Sequence, residues 1–219
     1  MTKSRVIETN DGIQGEIEVA IYDTMQRRLR DKGWIETKDI IKSGITAGVA
    51  LEIGPGPGYL GLEWLKNTEG TTLKGVEISP DMIKIAQKNA EEYGFLERTE
   101  YVLGTGNAIP LSEGAFDAAF SNGSLHEWEN PEDTFNEMWR MLKPGGRLLV
   151  SDLRRDMNPI IRWFMWISTK PKEIRPGLIT SIKAAYTPNE LERLLGQTDV
   201  KNFTIKGTAF GIVVTAMKE

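Results

Sequence analysis

Residues 51–61 read "LEIGPGPGYLG". An apolar run carries one acid, and glycines then follow at alternate positions until a helix-like segment begins. Gly56, Gly58 and Gly61 match the G-x-G-x-x-G spacing of dinucleotide-binding loops. In that fold the first glycine follows the strand directly, and backbone N–H groups at the helix N-terminus face a pyrophosphate. Here Gly56 stands three residues past Ile53, and Pro55 and Pro57 remove two donors. The register that fits better is Glu52-x-Gly54-x-Gly56-x-Gly58, an acid ahead of a loop poor in amides. Such a loop suits a cationic, donor-rich ligand without phosphate.

Around this loop the chain has 219 residues, 40% of them apolar and 26% charged, enough for one α/β domain over residues 1–219. A net charge of -4 argues against nucleic acid as a partner, because that affinity rests on clustered Lys and Arg. The absence of cysteine excludes disulfides, thiolate metal sites and cysteine nucleophiles, and a single histidine leaves no His cluster, so no metal is expected. The first residues, "MTKSRVIETNDG", are polar, and no run of about 18 apolar residues occurs anywhere. These features predict a soluble, cytoplasmic protein without a membrane span, a monomer or a homodimer.

Short apolar runs alternate with helical patterns, the signature of a parallel α/β sheet. Strands are expected at Val49–Ile53, Leu73–Ile78, Thr99–Leu103, Phe116–Phe120, Arg147–Asp152, Val200–Ile205 and Phe210–Met217. Only Lys206–Ala209 separates the final two, too few residues for a crossover, so they must form an antiparallel hairpin. Ser79-Pro80 and Asn130-Pro131 read as helix starts, and "TPNE" at 187–190 as a capping box. Two segments fall outside the alternation. Within 1–46, residues 13–32 form an amphipathic helix pattern, expected to cover the site; the core spans 47–219, with an insertion at 153–186 that contains "IIRWFMWI".

The acid-x-Gly-x-Gly-x-Gly loop after the first strand resembles the first motif of the class I S-adenosylmethionine-dependent methyltransferases. Further motifs follow in order. In "GVEIS", Glu77 closes the second strand 19 residues after Gly58; "GTGNAIPL", "FDAAFSNGSLHEW" and "MLKPGGRLLVSD" come later. The resemblance spans about residues 47–152 and implies a Rossmann-like fold, a seven-stranded, mostly parallel sheet in the order 3-2-1-4-5-7-6, the last strand antiparallel, with helices on both faces. It also implies S-adenosylmethionine as cofactor and S-adenosylhomocysteine as product. Glu52, Gly54, Gly56 and Gly58 would hold the methionine end, Glu77 the ribose hydroxyls, and Ile78 and Met82 the adenine face. Asn107 stands where the family usually has an aspartate for the adenine amino group, and the Ala108 N–H would meet a ring nitrogen. Backbone carbonyls at Ser121, Asn122 and Gly123 would take the α-ammonium.

The acceptor side is less constrained. His126, just past the fourth strand, is either a general base or a packing histidine, and Glu127 and Asp152 are further candidates. Tyr22 is similar to the tyrosine in the N-terminal cover helix of the small-molecule methyltransferases of quinone-biosynthesis type, and would contact the cofactor or the acceptor; core packing is the alternative. "IIRWFMWI" reads as an acceptor lid, a dimer surface or a buried helix, with Trp163 and Trp166 facing the acceptor in the first case. Arg154 and Arg155 would bind an anionic acceptor or form surface ion pairs. A small, partly apolar acceptor is expected, with a protein or RNA methyltransferase, or a non-catalytic binding subunit, as alternatives.

Overall fold

A computed structural model describes residues 4–6 and 12–219. Seven strands, β1 (Val49–Ile53), β2 (Thr72–Glu77), β3 (Thr99–Leu103), β4 (Phe116–Asn122), β5 (Leu142–Leu153), β6 (Thr204–Gly207) and β7 (Gly211–Met217), form one sheet. Their order is β3-β2-β1-β4-β5-β7-β6. The first five run parallel, and β7 is antiparallel to both β5 and β6. The helices are α1 (Glu16–Asp31), α2 (Thr37–Lys42), α3 (Tyr59–Lys66), α4 (Pro80–Tyr93), α5 (Pro131–Met141), α6 (Pro159–Ser168), α7 (Arg175–Ala184) and α8 (Pro188–Leu195).

β1 is central because it is apolar towards both faces. Strand alternation sends Leu51 and Ile53 into a core shared with Phe135 and Met138 of α5 and Leu191 and Leu195 of α8. Ala50 faces the opposite core, where Phe120 and Leu149 meet Ile40 of α2 and Leu62 and Trp64 of α3. Trp64 is fully buried; its indole N–H donates to the Ile45 carbonyl at 2.9 Å and its ring meets Phe120 edge-on at 5.9 Å. Glu52 shares the Ala50 side of the strand, which places a carboxylate under α3.

Local signals act largely as read. The Ser79 hydroxyl accepts from the Met82 N–H, and Thr187 with Glu190 completes a capping box. Asn130 occupies the N-cap of α5 but makes no side-chain cap bond, leaving Pro131 at the first turn and the acids Glu132 and Asp133 to favour that end. Two strand starts differ from expectation by more than one residue. β5 begins at Leu142 rather than Arg147, because α5 runs directly into extended chain and "KPGG" is absorbed as an irregularity against β4. β6 starts at Thr204, because Val200 is buried in a loop whose N–H is held by Thr198 and Asn202 then takes a left-handed φ of 51°.

The two segments outside the alternation behave differently. α1 packs against α3 and α4, and α7 packs against the turn that holds His126. α6 packs on α7 and contains no buried residue.

Candidate cofactor and active site

β1 and β4 are neighbours whose connections leave in opposite directions, so their carboxyl ends open a crevice at the switch point of the sheet. The glycine loop crosses it. Gly54, Gly56 and Gly58 all have left-handed φ values, of 65°, 53° and 85°. At Gly54 a Cβ would also lie 2.9 Å from Ser124, so the alternation of glycine and proline fixes a turn that other residues would strain. The Gly54 N–H donates to the Val76 carbonyl at 3.0 Å, and the Gly56 N–H to Glu77 Oε2 at 3.0 Å. Glu77 Oε1 accepts from the Ser79 N–H, also at 3.0 Å. This carboxylate thus clamps the loop and the next turn, and its two oxygens, with about four acceptor sites between them, keep capacity for a ligand. Burial raises the Glu77 pKa, and the N–H groups of Ser79, Gly56 and Ile78 oppose that rise.

Glu52 lies deeper. Its Oε2 has no hydrogen-bond partner, and burial, reinforced by the Glu77 charge, pushes its pKa up to about 8. The Tyr101 hydroxyl, which is similarly without a partner, is held neutral by burial and by Glu52. Tyr22 of α1 stands above the loop, with its ring 3.6 Å from where a Cβ of Gly56 would be. Its hydroxyl accepts from Gln26 at 3.0 Å, and burial beside Glu127 pushes its pKa up to about 12, so it remains a neutral hydroxyl with a proton to donate.

Glu52, Glu77, Tyr22 and the glycine loop line one cavity. Four carboxylates, of Glu52, Glu77, Glu127 and Glu129, face it, and among the described residues no lysine, arginine or histidine does. Leu29, Trp34, Ile35 and Trp128 supply apolar wall on the side of α1 and the β4 turn. A site of this composition favours a cation with apolar parts and repels phosphate.

Of the residues expected at the cofactor, Glu52, Gly54, Gly56, Glu77, Ile78, Met82, Asn107 and Asn122 line the cavity. Gly58 does not: it caps α3 from beneath the loop, where a Cβ would meet the Tyr101 hydroxyl at 2.8 Å. Ala108 does not either, because its N–H turns back to the Thr105 carbonyl at 3.3 Å in the tight turn that presents Asn107. The Asn122 amide is tied to Glu36 Oε2 and the Ser151 hydroxyl, each at 2.9 Å.

His126 is buried behind the cavity wall rather than in it. Its Nδ1 lies 2.9 Å from both carboxylate oxygens of Asp152, its N–H donates to the same carboxylate at 2.7 Å, and its Nε2 is 3.7 Å from Glu127 Oε1. Asp152 therefore fixes the histidine, and Glu127 is the member of this group that reaches the cavity. Arg154 is paired with Asp156 and Arg155 with Glu190, which makes ion pairing, not acceptor binding, their observed use. No residue of 153–186 lines the cavity: Trp163 is 61% exposed and Trp166 lies against Arg175, away from the expected acceptor position.

Sequence reasoning missed the fastening of α1. Asp23 Oδ1 accepts from the Tyr59 hydroxyl at 2.9 Å and from the Asn89 amide at 3.0 Å, while the same amide donates to the Pro57 carbonyl at 2.9 Å. Arg27 donates to Asn89 Oδ1 at 3.0 Å, and Arg30 stacks over Tyr59 at 4.8 Å. The only available signal was a set of charges on the polar side of an amphipathic helix, which ordinarily means solvent. Glu36 was missed for a similar reason, since nothing local marks it as the partner of Asn122.

Residues 51–150 match the methyltransferase domain family. A ubiquinone/menaquinone biosynthesis C-methyltransferase, UbiE, of Cereibacter sphaeroides is 26% identical over 113 residues, 52% of this chain and 45% of that protein. The erythromycin 3''-O-methyltransferase of Saccharopolyspora erythraea is 30% identical over 112 residues, 51% of this chain and 37% of that protein. The chain thus spans half or less of the length of these curated relatives. Across the whole fold, a SAM-dependent methyltransferase from Aquifex aeolicus superposes with a TM-score of 0.71 at 19% identity, covering 94% of this chain and 99% of the other. With its strand order and glycine loop, the chain has the class I S-adenosylmethionine-dependent methyltransferase fold, and residues 51–150 are similar to the methyltransferase domain family.

Proposed function

We propose that this protein binds S-adenosylmethionine and transfers its methyl group to a small, partly apolar molecule, releasing S-adenosylhomocysteine. The observation that carries this reading is the composition of the cavity: four acidic side chains and, among the described residues, no facing cation, beneath a loop whose amides are replaced by proline or spent on Val76, Glu77 and Pro55. The bound cofactor supplies an electrophilic methyl on a sulfonium.

The chain's own residues bind and orient. Glu77 accepts the ribose hydroxyls with its remaining lone pairs, Ile78 and Met82 pack on the adenine, and Asn107 meets its edge. Glu52, neutral or charged according to what it faces, becomes a carboxylate opposite the α-ammonium; Asn122 and Gly123 close that end. In-line displacement needs alignment above all, and the fastened α1, with Tyr22 over the loop, provides a rigid wall for it. An acceptor that must lose a proton would give it to Glu127, which His126 and Asp152 hold from behind. Leu29, Trp34 and Trp128 favour an apolar acceptor, and the small-molecule acceptors in the names of the two relatives agree with this size.

The test is turnover with a panel of quinols, phenols, hydroxylated macrolides and small amines, read as release of S-adenosylhomocysteine. Turnover on apolar hydroxyl or quinol compounds is expected. Cofactor binding with no product from any class would identify a binding subunit instead.

A further inference from the structure

Helix α6 leaves an apolar stripe facing outward. Ile160, Trp163 and Phe164 are spaced so that they share one side of a helix, and they are 73%, 61% and 50% exposed. Trp166, 39% exposed, flanks them, and no residue of the helix is buried. The helix is nonetheless well formed, with Pro159 in its first turn and the Asn158 side chain accepting from the Ile160 N–H at 2.8 Å. A contiguous patch of aromatic and branched side chains on a defined helix marks a surface that meets something else.

Charge decides what that is. Residues 159–175 carry Arg162, Lys170, Lys172 and Arg175 against the single acid Glu173, in a chain whose net charge is -4. None of the four cations forms an ion pair with a carboxylate among the described residues, whereas Arg154 and Arg155 nearby both do. A second copy meeting this patch about a two-fold axis would set like charges against like. An anionic bilayer surface would satisfy both features, since tryptophan and phenylalanine settle at the headgroup boundary and Lys and Arg meet the lipid charge. We propose that α6 and the basic turn after it dock the protein peripherally on an anionic lipid surface, with the Ile160–Trp163–Phe164 stripe inserted at the interface. This inference rests on the surface alone and stands or falls independently of methyl transfer.

The 219-residue chain is floated with vesicles of phosphatidylcholine mixed with phosphatidylglycerol, and with vesicles of phosphatidylcholine alone. Binding to the anionic vesicles, weakened by salt and accompanied by a blue shift of tryptophan emission, is expected. The Trp163→Ser, Phe164→Ser double variant, altered only at exposed positions, should fold and lose the shift. Lys170→Gln with Lys172→Gln should weaken binding about tenfold or more. Absence of binding by folded wild-type protein would overturn the proposal. So would concentration-dependent dimerisation that the serine variant abolishes, because the stripe would then join two copies of the chain.

Discussion

α1 and α6 both lie outside the alternating core and both show an apolar helical stripe, yet the fold uses them in opposite ways. α1 buries Val19 and ties its polar side down through Asp23, Arg27 and Arg30 to α3 and α4. α6 has no buried residue, and the Ser168 hydroxyl bonds back to the helix's own backbone while Arg175 from the following turn reaches the Ile167 carbonyl. The apolar stripe alone did not determine which helix would cover the cavity. The deciding difference is whether the flanking polar groups find buried partners, since a buried donor or acceptor left alone is costly and a matched one fixes geometry.

The largest effect separating the two sides should be on catalysis. With an acceptor that loses a proton, Glu127→Gln should lower turnover about 10²-fold, the scale of general-base catalysis, with little change in cofactor affinity; a soluble acceptor should be turned over normally by Trp163→Ser. Equal losses in steady-state assays of the two variants would erase the distinction between the α1 side and the α6 side. Next, Glu77→Ala should weaken cofactor binding by about 1–3 kcal/mol while the chain stays folded, measurable by calorimetry; unchanged affinity would leave this carboxylate with a loop-clamping role only.

Stability should separate the two helices as well. Asp23→Ala strands the Tyr59 hydroxyl and removes one of the partners of the Asn89 amide, and should cost about 1–3 kcal/mol in denaturant unfolding, with α1 exchanging its amide hydrogens faster. Trp163→Ser should stay within about 0.5 kcal/mol of wild type. The site should also respond to pH through Glu52. Because the folded pKa of Glu52 is raised to about 8 from 4.5, the folded chain holds a proton that the unfolded chain releases, so this group's contribution to stability declines as pH rises between those values. Binding of a cation opposite Glu52 should release that proton, and affinity should tighten as pH approaches about 8 from below, by at most tenfold per unit. Glu52→Gln should flatten both profiles.

The sheet was legible because its evidence is local and repeated: apolar runs, the Ser79-Pro80 and Thr187-Pro188 starts, a hairpin too short to cross over, and motifs arriving in order. Much of the cavity wall was legible for the same reason, since Glu52, Gly54, Gly56 and Glu77 sit at strand ends where open sheets bind ligands. His126 was legible as a residue of interest but not in its position. Its retreat behind Glu127 depends on Asp152, 26 residues away in sequence. Gly58 and Ala108 lie outside the cavity lining, and motif spacing cannot distinguish a residue that lines a cavity from one that shapes the turn beside it. The fastening of α1 and the exposure of α6 depend on partners from other elements, and helical periodicity does not report them.

The central claim is that the acidic cavity beneath the glycine loop is built for a cationic, unphosphorylated nucleoside ligand. Isothermal titration of the protein with S-adenosylmethionine, S-adenosylhomocysteine and NAD tests it most directly. Both adenosyl ligands should bind, with affinity reduced in Glu77→Ala, and NAD should give no heat of binding. Saturable binding of NAD with no response to either adenosyl ligand would contradict the account.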